Sequence, residues 1–237
     1  DFVCNKGKFI NEDGNAISAD GAGIKGTVFL SNDFKARGEV RFPGVAIGRD
    51  FSCTNGEFVN EGGDAIFADG MAVKGAVFLR DGFKAEGQVS LIGATVGENF
   101  FWHNVKLTEK TTLDLRNAKV GVLCDDEKSW PADGNLFLDG FVYENIGDES
   151  PKNAKSRIEW IQKQYDPNKK APQFRPQPYE QLATVLQKSG HENDARQVLI
   201  TKNEDRIKWG PKLSTSEFVW YRIFGPVIGY GYKPLKA

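Results

Sequence analysis

The sequence predicts a mainly β protein: a right-handed parallel β-helix over residues 1–149, then a small α-helical module over 150–237. Three observations carry this reading. Residues 1–49 recur as residues 50–98, with 25 identities in 49 positions. Within each copy, short alternating apolar runs return about every 24 residues between Gly, Asn or Asp corners, which is strand periodicity broken by turn chemistry. From Lys152 the apolar spacing lengthens to three and four residues, the period of a helix.

The repeat aligns "DFVCNKGKFINEDGNAISADGAGIKGTVFL" with "DFSCTNGEFVNEGGDAIFADGMAVKGAVFL". A finer unit, Gly-x-x-[Ile/Val] followed by spaced apolar residues, begins at Gly21, Gly44, Gly70 and Gly93, with a decayed copy at Asn117. A second phase recurs at Gly26, Gly38, Gly75, Gly87 and Gly134. Strands this short with glycine at the corners suit a β-solenoid, whose coils stack about 4.8 Å apart. Equivalent residues then form interior columns, one of them through Cys4, Cys53 and Trp102. Two coils separate Cys4 from Cys53, roughly 10 Å. That is too far for a disulfide, so both read as small buried hydrophobes. Asp1–Cys4 matches Asp50–Cys53, the second half of a unit, so the chain is expected to begin in mid-coil as a piece of a longer protein. After about residue 105 the alternation loosens. Leu113/Leu115 and Leu136/Leu138 predict last coils and a terminating loop that ends near Gly147.

The helical module starts with "KNAKSRIEWIQKQY", which places Ile158, Ile161 and Tyr165 on one face. "DPNKKAPQFRPQP" reads as a linker. "PYEQLATVLQKSG" and "HENDARQVLITKNEDRIKWG" read as two helices, with Leu182/Val185/Leu186 and Ala195/Val198/Leu199 as apolar faces and Gly190 between them. Such an αα-hairpin cannot bury its face alone and should dock on the solenoid or on a partner. Ser214-x-x-Glu217 is a capping-box signature opening "EFVWYRIFG". Aromatic and basic residues crowd the segment that follows, which suits a membrane interface or a helix packed on the solenoid.

Charge divides the chain. Residues 1–149 carry a net −9 and residues 150–237 a net +8, although the whole chain is at −1. The basic half suits an anionic partner such as a membrane surface, or simply attraction to the acidic half. Three cysteines argue for a reducing compartment. No run of about 18 apolar residues and no signal peptide is present.

Few motifs suggest chemistry. Gly21-x-Gly23-x-x-Gly26 matches the dinucleotide-binding fingerprint, but a phosphate loop leads into a helix and the residues after it are β-prone. The second copy also lacks the middle glycine. Gly229-Tyr230-Gly231 lacks the Thr of a potassium filter. His103 and His191 stand apart without zinc spacing. Cys124-Asp125-Asp126-Glu127 reads as a solvated acidic loop or a weak cation site. No Ser-nucleophile motif occurs, and the recurring Asp20/Asp69 and Asp33/Asp81 speak for structure over catalysis. No catalytic, cofactor or metal residue is therefore assigned.

The coil of short Ala- and Gly-rich units resembles the pentapeptide-repeat class of right-handed β-helices, with the five-residue motif degenerate. "LRNAKVGVLCDDEKSWPADGNLFLDGFVYENI", "PQPYEQLATVLQKSGHENDARQVLITKNEDR" and "GYGYKPLKA" are similar to a family of bacterial membrane-associated proteins often labelled "membrane-associated oxidoreductase". The similarity covers essentially the whole chain. It implies a hydrophobic segment after Gly-Tyr-Gly-Tyr and a place at the cytoplasmic face of the bacterial inner membrane, and it supplies no catalytic residues. The expected function is a non-enzymatic binding or scaffolding module. Lys208, Lys212, Trp220, Arg222, Phe224, Tyr230, Tyr232 and Lys233 form its membrane-proximal surface, in a basic stalk that also includes Lys202 and Arg206. An unidentified protein partner is expected and nucleic acid is not. The alternatives are an enzyme using the solenoid flank, oxidoreductase or glycan-active, and a DNA mimic, a role known among pentapeptide-repeat proteins. Lys25/Lys74 and Lys35/Lys84 would interrupt a mimic's anionic face.

Overall fold

Seven apolar side chains stack in one column: Phe2, Val28, Phe51, Val77, Phe100, Leu123 and Ile146. The chain climbs this column in steps of 26, 23, 26, 23, 23 and 23 residues, six turns of a β-solenoid in which neighbouring strands are all parallel. The computed structural model describes residues 1–214.

Two sheets form the coil walls. One contains β1 (Phe2–Val3), β3 (Gly23–Ile24), β4 (Val28–Phe29), β6 (Ala46–Ile47), β7 (Phe51–Ser52), β9 (Ala72–Val73) and β10 (Val77–Arg80), together with the longer β12 (Thr95–His103), β14 (Lys119–Asp125) and β16 (Val142–Ile146). The other contains β2 (Lys8–Ser18), β5 (Lys35–Arg41), β8 (Glu57–Phe67), β11 (Lys84–Ser90), β13 (Thr111–Asp114) and β15 (Leu136–Phe137).

The alternating step length has a local cause. In β2, Ile10 pairs with Arg37 and Asn15 with Glu39, so three extra residues loop out of the coil. In β8, Val59 and Asp64 pair with Glu86 and Gln88, with the same surplus of three. These excursions are "NEDG" and "NEGG", each closed by its asparagine, Asn11 Nδ2 to Asn15 O (3.1 Å) and Asn60 Nδ2 to Asp64 O (2.9 Å). The 49-residue repeat is thus one long coil and one short coil.

The glycines separate by role. Gly21, Gly44, Gly70 and Gly93 turn the corners with φ of 63–67°, and Asn117 takes the same turn at 58°. The second phase does not share one cause. Gly38 and Gly87 adopt φ of 103° and 127° beneath the excursions. A Cβ at Gly87 would stand 2.5 Å from Asn60 O and 2.7 Å from Gly63 O. Gly26 and Gly75 are instead crowded by Asp1 and Asp50, whose carboxylates accept from the N–H of Thr27 (2.8 Å) and Ala76 (2.9 Å). Gly21–Gly26 leads into strand β4, so no helix N-terminus stands where a dinucleotide phosphate would bind.

The interior is lined by apolar columns. The Cys4 column runs on through Leu30, Cys53, Leu79 and Trp102. Rings of Phe9, Phe34, Phe58, Phe83 and Trp102 step along the core at centroid spacings of 5.2–5.8 Å, each contact contributing about 0.5–1.5 kcal/mol beyond area burial. All three cysteines are free. Cys53 is fully buried, and burial raises its thiol pKa; Cys4 is only half-buried, while Cys124 continues the outward column of Phe78 and Phe101.

Three helices complete the described chain: α1 (Ala154–Gln162), α2 (Gln177–Lys188) and α3 (Glu192–Trp209). Asn153 caps α1 by accepting from Ser156 N–H at 2.9 Å. Gly190, at φ 81°, ends α2 and lets α3 fold back on it. The buried helix residues, from Ala154 to Val198, belong to the same hydrophobic core as the coils. No helix of the described residues is long and apolar enough to cross a membrane.

Gly87→Ala is expected to lower stability by about 2 kcal/mol or more, because it adds both a strained φ and a backbone clash. Gly23→Ala, in open space outside the left-handed region, should change stability by less than about 1 kcal/mol. Urea unfolding of both variants checks this, and equal losses would contradict the need for glycine beneath the excursion.

Candidate binding site at the solenoid–helix junction

The Cys4 column ends in a charge. After Trp102 its next member is Asp125, on the last residue of β14 and almost fully buried. Arg157 of α1, with no exposed surface, meets it with two hydrogen bonds, Nη2 to Oδ1 at 2.6 Å and Nη1 to Oδ2 at 2.8 Å. Trp130 Nε1 donates to Oδ2 at 2.8 Å, and Arg157 Nε donates to Pro151 O at 2.5 Å. The expectation of a solvated acidic loop at Cys124–Glu127 is therefore corrected. Asp125 is consumed by Arg157, and Asp126 caps the short 3₁₀ turn Glu127–Ser129 and accepts from Asn104 N–H at 2.6 Å. The sequence hid the pair because Arg157 sits among polar neighbours and its partner lies 32 positions away.

Helix α2 takes the place of the coil that would follow. Gln177 accepts from Gly140 N–H (2.9 Å) and donates to Phe141 O (3.0 Å); one turn on, Gln181 donates to Tyr143 O (2.7 Å). Two side-chain amides thus satisfy backbone groups that a solenoid end leaves open. The three helices also share Asp205, 4% exposed, whose Oδ2 accepts from Tyr179 Oη (2.6 Å) and Gln162 Nε2 (2.8 Å). Burial raises the Tyr165 and Tyr179 phenol pKa values well above the ordinary range, with the nearby Asp205 carboxylate adding to the effect.

The stretch read as a linker is pinned. The N–H groups of Gln173 and Phe174 both donate to Trp209 O, at 2.8 and 3.0 Å. Its course leaves two recesses beside the last coil. One, about 600 Å³, lies between Trp130, Tyr165 and Trp209, with Glu159, Lys163 and Lys208 on its walls. The other, about 330 Å³, lies between β15 and residues 164–175.

Of the expected membrane-proximal residues, Lys208 and Lys212 are described. Both are exposed, and Lys208 Nζ lies 4.7 Å from the Trp209 ring centroid. Trp220, Arg222, Phe224, Tyr230, Tyr232, Lys233 and the Glu217 end of the capping box lie outside the described residues. Lys202, expected in a basic stalk, instead bridges α3 to Glu180 of α2 at 3.3 Å and is mostly covered. Among the described residues no His, Cys, Asp and Glu side chains group as metal ligands.

On the solenoid flank, Asp64 lies near Glu39, Asp69 and Asp114. Its carboxyl is pushed up to about 6, first by burial and then by those three charges. The native state therefore holds a proton that the unfolded chain releases, and stability falls as pH rises from about 4, the ordinary Asp value, to about 6.

Arg157→Met, which leaves Asp125 buried without its counter-charge, is expected to lose about 3–5 kcal/mol. Lys35→Met, at an exposed pair with Glu57, should lose no more than about 1 kcal/mol. Chemical denaturation distinguishes them, and comparable losses would count against the junction pair. Asp64→Asn should raise the melting temperature at pH 7 and leave it unchanged near pH 4. A rise of equal size at both pH values would contradict the raised carboxyl.

No protein family, curated protein or solved structure matches this chain.

Proposed function

We propose that this chain is a non-catalytic binding or scaffolding module that works beside an anionic membrane surface. The observation that carries the scaffold reading is the locked register of the outward side chains. Phe78 and Phe101 stack at 5.0 Å with the Arg80 guanidinium 4.8 Å from each ring centroid. Lys35, Glu57 and Lys84 are neighbours along another outward column, with Glu57 3.3 Å from Lys35 and 3.5 Å from Lys84, and Lys8 and Lys106 continue it at either end. Side chains fixed this way form a rigid, spaced surface that a partner can read without reorganising it. This largely basic column also argues against the DNA-mimic alternative, which needs one continuous anionic face.

Support for the membrane comes from charge. The net +8 of residues 150–237 stands against −9 for the coils, and Lys208, beside the Trp209 ring at the end of α3, and Lys212 just after it are both exposed. Each lysine near an anionic bilayer contributes about 1 kcal/mol. Sedimentation with phosphatidylglycerol vesicles is expected to show salt-sensitive binding. Lys208→Gln with Lys212→Gln should weaken it about tenfold or more, and removal of residues 214–237 should weaken it further. Partition that ignores both changes would sink the membrane reading.

A further inference from the structure

The smaller recess beside β15 has features that packing alone leaves unexplained. Gln164 forms part of its floor and is only 9% exposed. The Gln164 Nε2 group is buried and has no hydrogen-bond partner among the described residues. A buried amide donor left unmade costs about 1–3 kcal/mol, so native structures keep few of them without a reason. Three cations share the recess with it: Arg116 from the corner after β13, and Lys169 and Arg175 from the pinned segment. Arg116 is held by Asp114 through Nε and Nη2, the latter at 2.6 Å, with its guanidinium over the Phe137 ring. The other two make long ion pairs, Lys169 at 3.9 Å from Asp166 and Arg175 at 3.6 Å from Asp139, and Arg175 Nη1 also donates to Phe174 O at 3.2 Å. Among the described residues Asp139 is the one carboxylate in the lining.

We propose that this recess is a binding site for a phosphate monoester. The phosphoryl oxygens pair with Lys169 and Arg175, the Gln164 amide turns toward them to donate from Nε2, and the esterified group lies against Phe137 and Pro172. A monoester dianion with three acceptor oxygens suits two exposed cations and one amide donor, since guanidinium and ammonium groups bind phosphate by charge-assisted hydrogen bonds. The volume of about 330 Å³ falls at the small end of ligand pockets. The same chemistry is offered by a soluble phosphate ester and by a phosphatidic acid headgroup. The site does not depend on the membrane reading, because neither Lys208 nor Lys212 lines it.

Calorimetric titration with glycerol 3-phosphate at constant ionic strength tests the site. Saturable binding is expected, about tenfold weaker in Lys169→Gln/Arg175→Gln and in Gln164→Met, and unchanged in Lys25→Gln, a distant control that removes a charge. The exposed double variant keeps the test valid if Gln164→Met folds poorly. Sedimentation with phosphatidylcholine vesicles containing phosphatidic acid separates the two sources. Recruitment lost in the double variant assigns the headgroup, and binding of the soluble ester alone assigns a small metabolite. Absence of binding to both, or binding that the double variant leaves intact, overturns the proposal.

Discussion

Every coil of this protein must offer its backbone N–H and C=O groups to the coils above and below, in parallel and in register. That single requirement organises the rest. It forces equivalent positions into columns, so a residue's neighbours are those 22 to 27 positions away. The interior positions must therefore be apolar in every turn, and the corners must recur at glycine or asparagine. It also explains why the repeat unit is 49 residues and not one coil. The three-residue excursions occur in alternate turns, and the coil next to each carries a glycine beneath them, as Gly38 and Gly87 do.

A ladder of this kind has an end, where its hydrogen-bonding groups and apolar column need new partners. The helical module meets both needs at once. Gln177 and Gln181 supply amides in place of a following coil. The interior column changes from Trp102 to Asp125 at the level where Arg157 enters from α1. A buried ion pair contributes little net stability compared with an apolar pair, but it tolerates few alternative arrangements. Here it fixes the helices to one place on the coil. The two recesses are consequences of that docking, because they lie where residues 163–176 cross from α1 to α2 over the last coil.

The repeat, the corner glycines, the Cys4–Cys53–Trp102 column and the three helices were all legible in the sequence, because each depends on local periodicity. The reading failed where a residue's role depends on a distant partner. Cys124–Glu127 looks like a solvated acidic loop, and only the arrival of Arg157 and Asn104 shows that the Asp125 and Asp126 carboxylates are spent internally, while Glu127 stays exposed. "DPNKKAPQFRPQP" has the composition of a linker, yet two of its N–H groups converge on Trp209 O. Lys202 looks like one basic residue among several, but Glu180 lies within reach across the hairpin.

The same division governs the candidate sites. Nothing in the order of residues joins Arg116, Gln164 and Arg175, which come from a solenoid corner and from both ends of the pinned segment. By itself the sequence determined a coil of defined period, the residues lining it and the change to helices, because alternation and turn chemistry are properties of neighbouring residues. Only the tertiary structure decided which polar groups are satisfied and which, like Gln164 Nε2, are buried without a partner among the described residues. Desolvation and hydrogen bonding depend on what the fold brings alongside.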